Sequence, residues 1–210
     1  MTNKYLAINF TIFGSIIYLF SNVILSNNQI TGNHNNLNSI LEIYFLSKIL
    51  ILIGYFILFI HIDQKFSQSI NWIIAIGLFL GLLQYIASLL LYSKVIFLHR
   101  FLYSIASYNI TPISTYISLY LAISLIIWGL ILFSKKNITR WSTLGFLFIP
   151  LSFTNLMYYL LRSLNHIYLD YYFKIYNQIW FFLLITFCYM LPAFGLLFDI
   201  WKNRIVIKKG

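Results

Sequence analysis

The sequence predicts an all-α polytopic membrane helix bundle, with six transmembrane helices and both termini in the cytoplasm. Three observations carry that expectation. Hydrophobic residues make up 61% of the 210 and charged residues only 9%, with a mean hydropathy of +0.85; a soluble domain is about half apolar and about a quarter charged. The apolar residues gather into six runs, each close to the roughly 20 residues that a helix needs to cross the hydrocarbon core. The cations between those runs fall mainly on one side. A transmembrane β-barrel would instead alternate polarity in segments of about ten residues.

The expected spans are 5–25, 42–62, 70–92, 112–133, 141–161 and 179–200, forming a single domain over 1–210. The first follows Lys4, and its apolar stretch is longer than the roughly 7–15 residues of a signal-peptide core, so it reads as an uncleaved anchor. A polar break from Ser26 to Asn38 separates it from the second, which carries Glu42 and Lys48. Asp63 to Ser69 leads into the third, which holds a Gly77-xxx-Gly81 step. The fourth opens on Thr111 as N-cap and Pro112 as first helical residue, a sound start signal. Ser134 to Arg140 precedes the fifth span, which contains Pro150, and Arg162 to Gln178 precedes the sixth, which contains Cys188 and Pro192.

Orientation follows from the loops, because cytoplasmic segments carry the excess of Lys and Arg. With six spans, one side holds Lys4, Lys65, Lys135, Lys136, Arg140, Lys202, Arg204, Lys208 and Lys209, nine of the 14 cations. The other side holds Lys94, Arg100, Arg162 and Lys174, and Lys48 falls inside a span. The net charge of +10 is therefore topological. It forms no basic patch on a polar body, and a nucleic-acid partner is excluded. The expected partners are the lipid bilayer and other membrane subunits.

The chain has 37 Ile but only 3 Val and 6 Ala, together with 16 Asn. Ile, Asn and Lys codons are AT-rich whereas Val and Ala codons begin with G, so this bias reports a genome. Asn33 to Asn38 is read as composition rather than as a site.

Helices associate in lipid through small residues and interhelical hydrogen bonds. Thr11, Ser15, Tyr18 and Asn22 share one face of the first span, and Gly77, Gly81, Gln84 and Ser88 share one face of the third. Ser114, Ser118, Ala122 and Gly129 line the fourth, Ser152, Asn155, Tyr159 and Arg162 the fifth, and Thr186, Tyr189 and Ala193 the sixth. These are expected to be packing faces. In the sharper reading, Asn22, Lys48, Gln84, Asn155 and Arg162 line a polar cavity for a solute. Charges within the bilayer are costly and point to function by default. Lys48, six residues beyond Glu42 and thus about 120° around the helix, is expected either to snorkel to the outer interface or to meet a neighbouring helix.

Outside the membrane, Arg162, His166, Asp170, Lys174 and Gln178 recur at steps of four, which describes an interfacial helix with one charged face. His166 oriented by Asp170 has the form of a general base, and His99 lies on the same side. These three are the catalytic candidates, against the plainer reading of a solvated face. In the third loop, Phe97, Phe101 and Ile105 are expected to face lipid while His99, Arg100 and Tyr103 face water. The sequence has no phosphate loop, nucleophile elbow or metal-binding helix motif, so no cofactor or metal is expected.

The segment Lys135-Lys136-Asn137-Ile138-Thr139-Arg140-Trp141-Ser142-Thr143-Leu144-Gly145 gives the chain a resemblance to a group of uncharacterised bacterial six-span membrane proteins of about this length. In that group a charged inner loop leads into a Pro-Arg-Trp-Leu-Gly-like segment. Here the Pro is absent and two residues separate Trp141 from Leu144. The resemblance implies a helical bundle and brings no activity with it.

The expected function is that of a non-catalytic accessory, resistance or assembly component in a bacterial cytoplasmic membrane. The alternatives are a small secondary transporter or channel, a membrane-embedded enzyme using His99, His166 and Asp170, and an organelle-encoded respiratory subunit in the mitochondrial inner membrane.

Overall fold

The computed structural model describes residues 2–31, 37–61, 68–93, 99–106, 111–134 and 179–209. Among them every regular element is a helix: α1 (Thr2–Thr31), α2 (Leu37–His61), α3 (Gln68–Tyr92), α4 (His99–Ile105), α5 (Pro112–Ser134) and α6 (Ile179–Lys209). Four of these contain stretches long and apolar enough to cross a membrane: Tyr5–Leu25, Leu37–Ile60, Gln68–Tyr92 and Pro112–Ile131. In α6 the apolar run, Trp180–Gly195, is shorter. The expected fifth span, 141–161, and the charged segment 162–178 lie outside the described residues.

Two helices run on beyond the expected spans. Polar residues from Ser26 onward do not end α1, which runs on to Thr31. Ser, Asn, Gln, Ile and Thr are only modestly unfavourable in helices, whereas Gly and Pro punctuate them, and the first glycine after Gly14 is Gly32. Likewise α6 continues past residue 200 to Lys209. No Gly or Pro falls between residues 196 and 209 to stop it.

The helices pack α1 on α2 and α6, α2 on α3, and α3 on both α4 and α5. Small residues let two of the seams close tightly. A Cβ on Gly54 of α2 would lie 2.9 Å from the Thr11 amide nitrogen and 3.0 Å from the Ala7 carbonyl oxygen of α1. Across the same seam, a Cβ on Gly14 would lie 2.9 Å from Leu50 Cβ. In the α3–α5 seam, a Cβ on Gly77 would overlap the Ser124 hydroxyl, and one on Gly81 would lie 2.6 Å from Leu121 Cδ2. The glycine face of α3 thus packs on α5, as close approach of backbones in lipid requires.

The polar stripes of the described helices all turn inward. Thr11, Ser15, Tyr18 and Asn22 are buried, as are Gln84 and Ser88, Ser114 and Ser118, and Thr186, Tyr189 and Ala193. Several of these hydroxyls donate to their own helix: Thr11 to Ala7 O, Ser15 to Thr11 O and Thr186 to Phe182 O, at 2.9, 2.6 and 2.7 Å. Trp128 of α5, fully buried, stands edge-on to Tyr55 and Phe59 of α2, with ring centroids at 6.5 and 5.7 Å.

The α4–α5 corner forms as the Thr-Pro signal predicts. The Ser114 N–H donates to Thr111 Oγ1 at 3.1 Å, capping α5, and the Thr111 hydroxyl donates to the Ser104 carbonyl of α4. On α4, Phe101 and Tyr103 are exposed but Ile105 is buried. That corrects the expectation that Ile105 shares the lipid face with Phe101: the end of α4 that carries Ile105 is enclosed in the bundle, and α4 packs on α3 and α5.

Candidate functional site: a lysine enclosed by tyrosines

Lys48 lies near the middle of the α2 span, with roughly 16–18 Å of helix on either side at 1.5 Å per residue. Its side chain does not snorkel. It is 2% exposed and turns into the bundle, towards α1 and α6. The ammonium sits 4.1 Å from the centroid of the Tyr18 ring of α1, 4.5 Å from that of Tyr189 of α6 and 5.6 Å from that of Tyr44 of α2. It also donates a hydrogen bond to the Tyr189 hydroxyl. Electron-rich ring faces attract a cation within about 6 Å, by about 2 kcal/mol or more when desolvated. A buried cation pulled inward in this way replaces part of its lost hydration with protein groups.

The cage is built by helical periodicity. Tyr44, Lys48 and Tyr55 lie at i, i+4 and i+11 of α2, one face by the same offsets as the stripes of α1 and α3. Tyr18 and Tyr189 belong to the inward stripes of α1 and α6, and their rings meet edge-on, with centroids 5.2 Å apart at 88°. Tyr18 also packs on Tyr44, at 5.7 Å. The Tyr55 hydroxyl, two turns along from Lys48, donates to the Tyr189 carbonyl at 2.9 Å. One residue of α6 therefore receives two bonds from one face of α2.

The other described polar residues of the expected cavity, Gln84 and Asn22, have partners elsewhere. The Gln84 amide of α3 donates to the Ser114 carbonyl of α5 at 2.9 Å and accepts from the Ser118 hydroxyl at 3.1 Å. Gln84 thus bridges the α3–α5 seam, whereas Lys48 bridges α2 to α1 and α6. Asn22 is buried and donates to the Tyr18 carbonyl of its own helix at 2.7 Å. Asn155 and Arg162 lie outside the described residues. Of the catalytic candidates, His99 opens the seven-residue α4, while His166 and Asp170 lie outside the described residues.

Sequence reasoning singled out Lys48 but missed its enclosure. Tyr44 and Tyr55 went unread because the second span is apolar on every side, so no stripe stood out. The available signal was the spacing of tyrosines around the one charged residue at mid-span.

The chain matches no known protein family, no curated protein and no solved structure. Its class rests on the fold and the site: among the described residues every regular element is a helix, four of them long and apolar enough to cross a membrane, with a lysine enclosed halfway along one.

Proposed function

We propose that the protein is a six-span integral membrane protein with both termini in the cytoplasm. It acts in the bacterial cytoplasmic membrane as a non-catalytic accessory or assembly component. The observation that carries this reading is the use made of mid-span polarity: Gln84 commits both ends of its amide to α5. Lys48 supports the same reading, with its ammonium on Tyr189 and between aromatic rings. The nine-to-four distribution of loop cations supports the orientation.

One observation favours a second reading, a small carrier: a cation drawn to the inside of a bundle at mid-span is a usual mark of an ion or substrate path. Reconstitution in lipid vesicles separates the two. As an assembly component, the purified chain leaves the leak of protons, chloride and potassium at the level of empty vesicles, and on gentle extraction it migrates with other membrane subunits. Protein-dependent flux that is abolished by Lys48→Met would overturn the first reading and establish the second.

A further inference from the structure

Pro192 lies inside α6 and is buried, three residues beyond Tyr189. A proline within a helix has no N–H to return to the carbonyl four residues earlier, and its ring crowds that carbonyl. Here that carbonyl belongs to Cys188. Sharp bends in helices concentrate at such positions. In lipid, proline is tolerated where neighbouring helices satisfy the loosened backbone. Beside the carbonyl whose ladder bond Pro192 removes, that of Tyr189 takes the Tyr55 hydroxyl of α2 at 2.9 Å.

The same face of α2 supplies a second hold. Lys48 lies two turns before Tyr55, and its ammonium donates to the hydroxyl of the same Tyr189. Tyr189 is thus fixed at its ring tip and at its backbone, one turn before the weak point of the helix. Its ring is buttressed by Tyr18 of α1.

We propose that α6 is a hinged helix that pivots at Pro192, and that Lys48 and Tyr55 of α2 form the latch holding it closed on Tyr189. The stretch before the pivot carries Tyr189 and Cys188; the latch holds it on α2, and it swings about Pro192 when the latch opens. The inference does not depend on whether the bundle assembles with partners or carries a solute.

Cys188, the only cysteine of the chain, reports on the latch directly. It is 3% exposed and adjoins Tyr189. In vesicles holding the full-length protein, labelling by a small membrane-permeant thiol reagent should be slow. Lys48→Met and Tyr55→Phe should each speed it by about fivefold to tenfold, the change in an opening equilibrium expected from one net hydrogen bond. Pro192→Ala in the Tyr55→Phe background should return the rate towards that of the unsubstituted protein, because the helix regains its missing N–H. Gln84→Leu, which loosens the α3–α5 seam instead, should leave Cys188 labelling unchanged. The latch is overturned if neither α2 substitution changes the rate or if Pro192→Ala fails to reverse the effect. It is equally overturned if Gln84→Leu speeds labelling as much, since the loosening is then global.

Discussion

At the scale of single residues, the polar groups of the bundle interior differ in what their loss exposes. Replacing Gln84 by Leu removes two bonds to α5, one to the Ser114 carbonyl and one from the Ser118 hydroxyl. Interhelical hydrogen bonds in membranes are worth about 0.6 kcal/mol each on average and up to about 1.7. Gln84→Leu is therefore expected to destabilise the bundle by about 1–3 kcal/mol in reversible unfolding from mixed micelles. Asn22→Leu should cost less than Gln84→Leu in the same assay, because Asn22 bonds within its own helix and the Tyr18 carbonyl keeps its place in the helical ladder. Equal losses would mean that Gln84 is not holding the α3–α5 seam.

At the scale of elements, the two glycine seams make a paired prediction. A methyl on Gly54 meets backbone of α1, the Thr11 nitrogen and the Ala7 oxygen, which cannot move without shifting the helix. A methyl on Gly81 meets the end of the Leu121 side chain, which can change rotamer. Gly54→Ala should cost about 1–3 kcal/mol, in the range of overpacking, and Gly81→Ala distinctly less. Thermal unfolding of the two variants in the same detergent checks the order. The capped start of α5 offers a third element test: Thr111→Ala should cost about 0.5–2 kcal/mol, and more than Thr115→Ala, because only Thr111 both caps α5 and ties it to Ser104 of α4.

Much of this level was legible in the sequence, and the reasons differ by element. Gly77 and Gly81 stood out on α3 because Gln84 and Ser88 continue their face; Gly14 and Gly54 did not, because each stands alone on its helix. Tyr5–Leu25 matches the expected first span because hydropathy reports apolar length. The end of α1 at Thr31 was missed because hydropathy does not report where a polar helix stops. The site was harder to read. The direction of the Lys48 side chain depends on ring faces from α1 and α6, 30 and 141 positions away in the chain, and no local pattern encodes that distance.

At the scale of the whole molecule, the proposed six spans place both termini on the cation-rich side. Protease added outside right-side-out vesicles should spare tags at both ends and cleave a site inserted between Gly32 and Asn36. Cleavage at one terminus alone would require an odd number of spans. Beyond topology, the account holds that the charge at mid-span joins helices, with Lys48 of α2 fastened to Tyr189 of α6. A double-mutant cycle between Lys48→Met and Tyr189→Phe, measured as unfolding free energy in lipid bicelles, tests that claim most directly. Each single change should destabilise, by about 1–3 kcal/mol where it leaves a buried partner unsatisfied. The double change should cost less than the sum, with a coupling of about 1–2 kcal/mol. A coupling indistinguishable from zero would contradict the account, because the lysine and the tyrosine would then be independent.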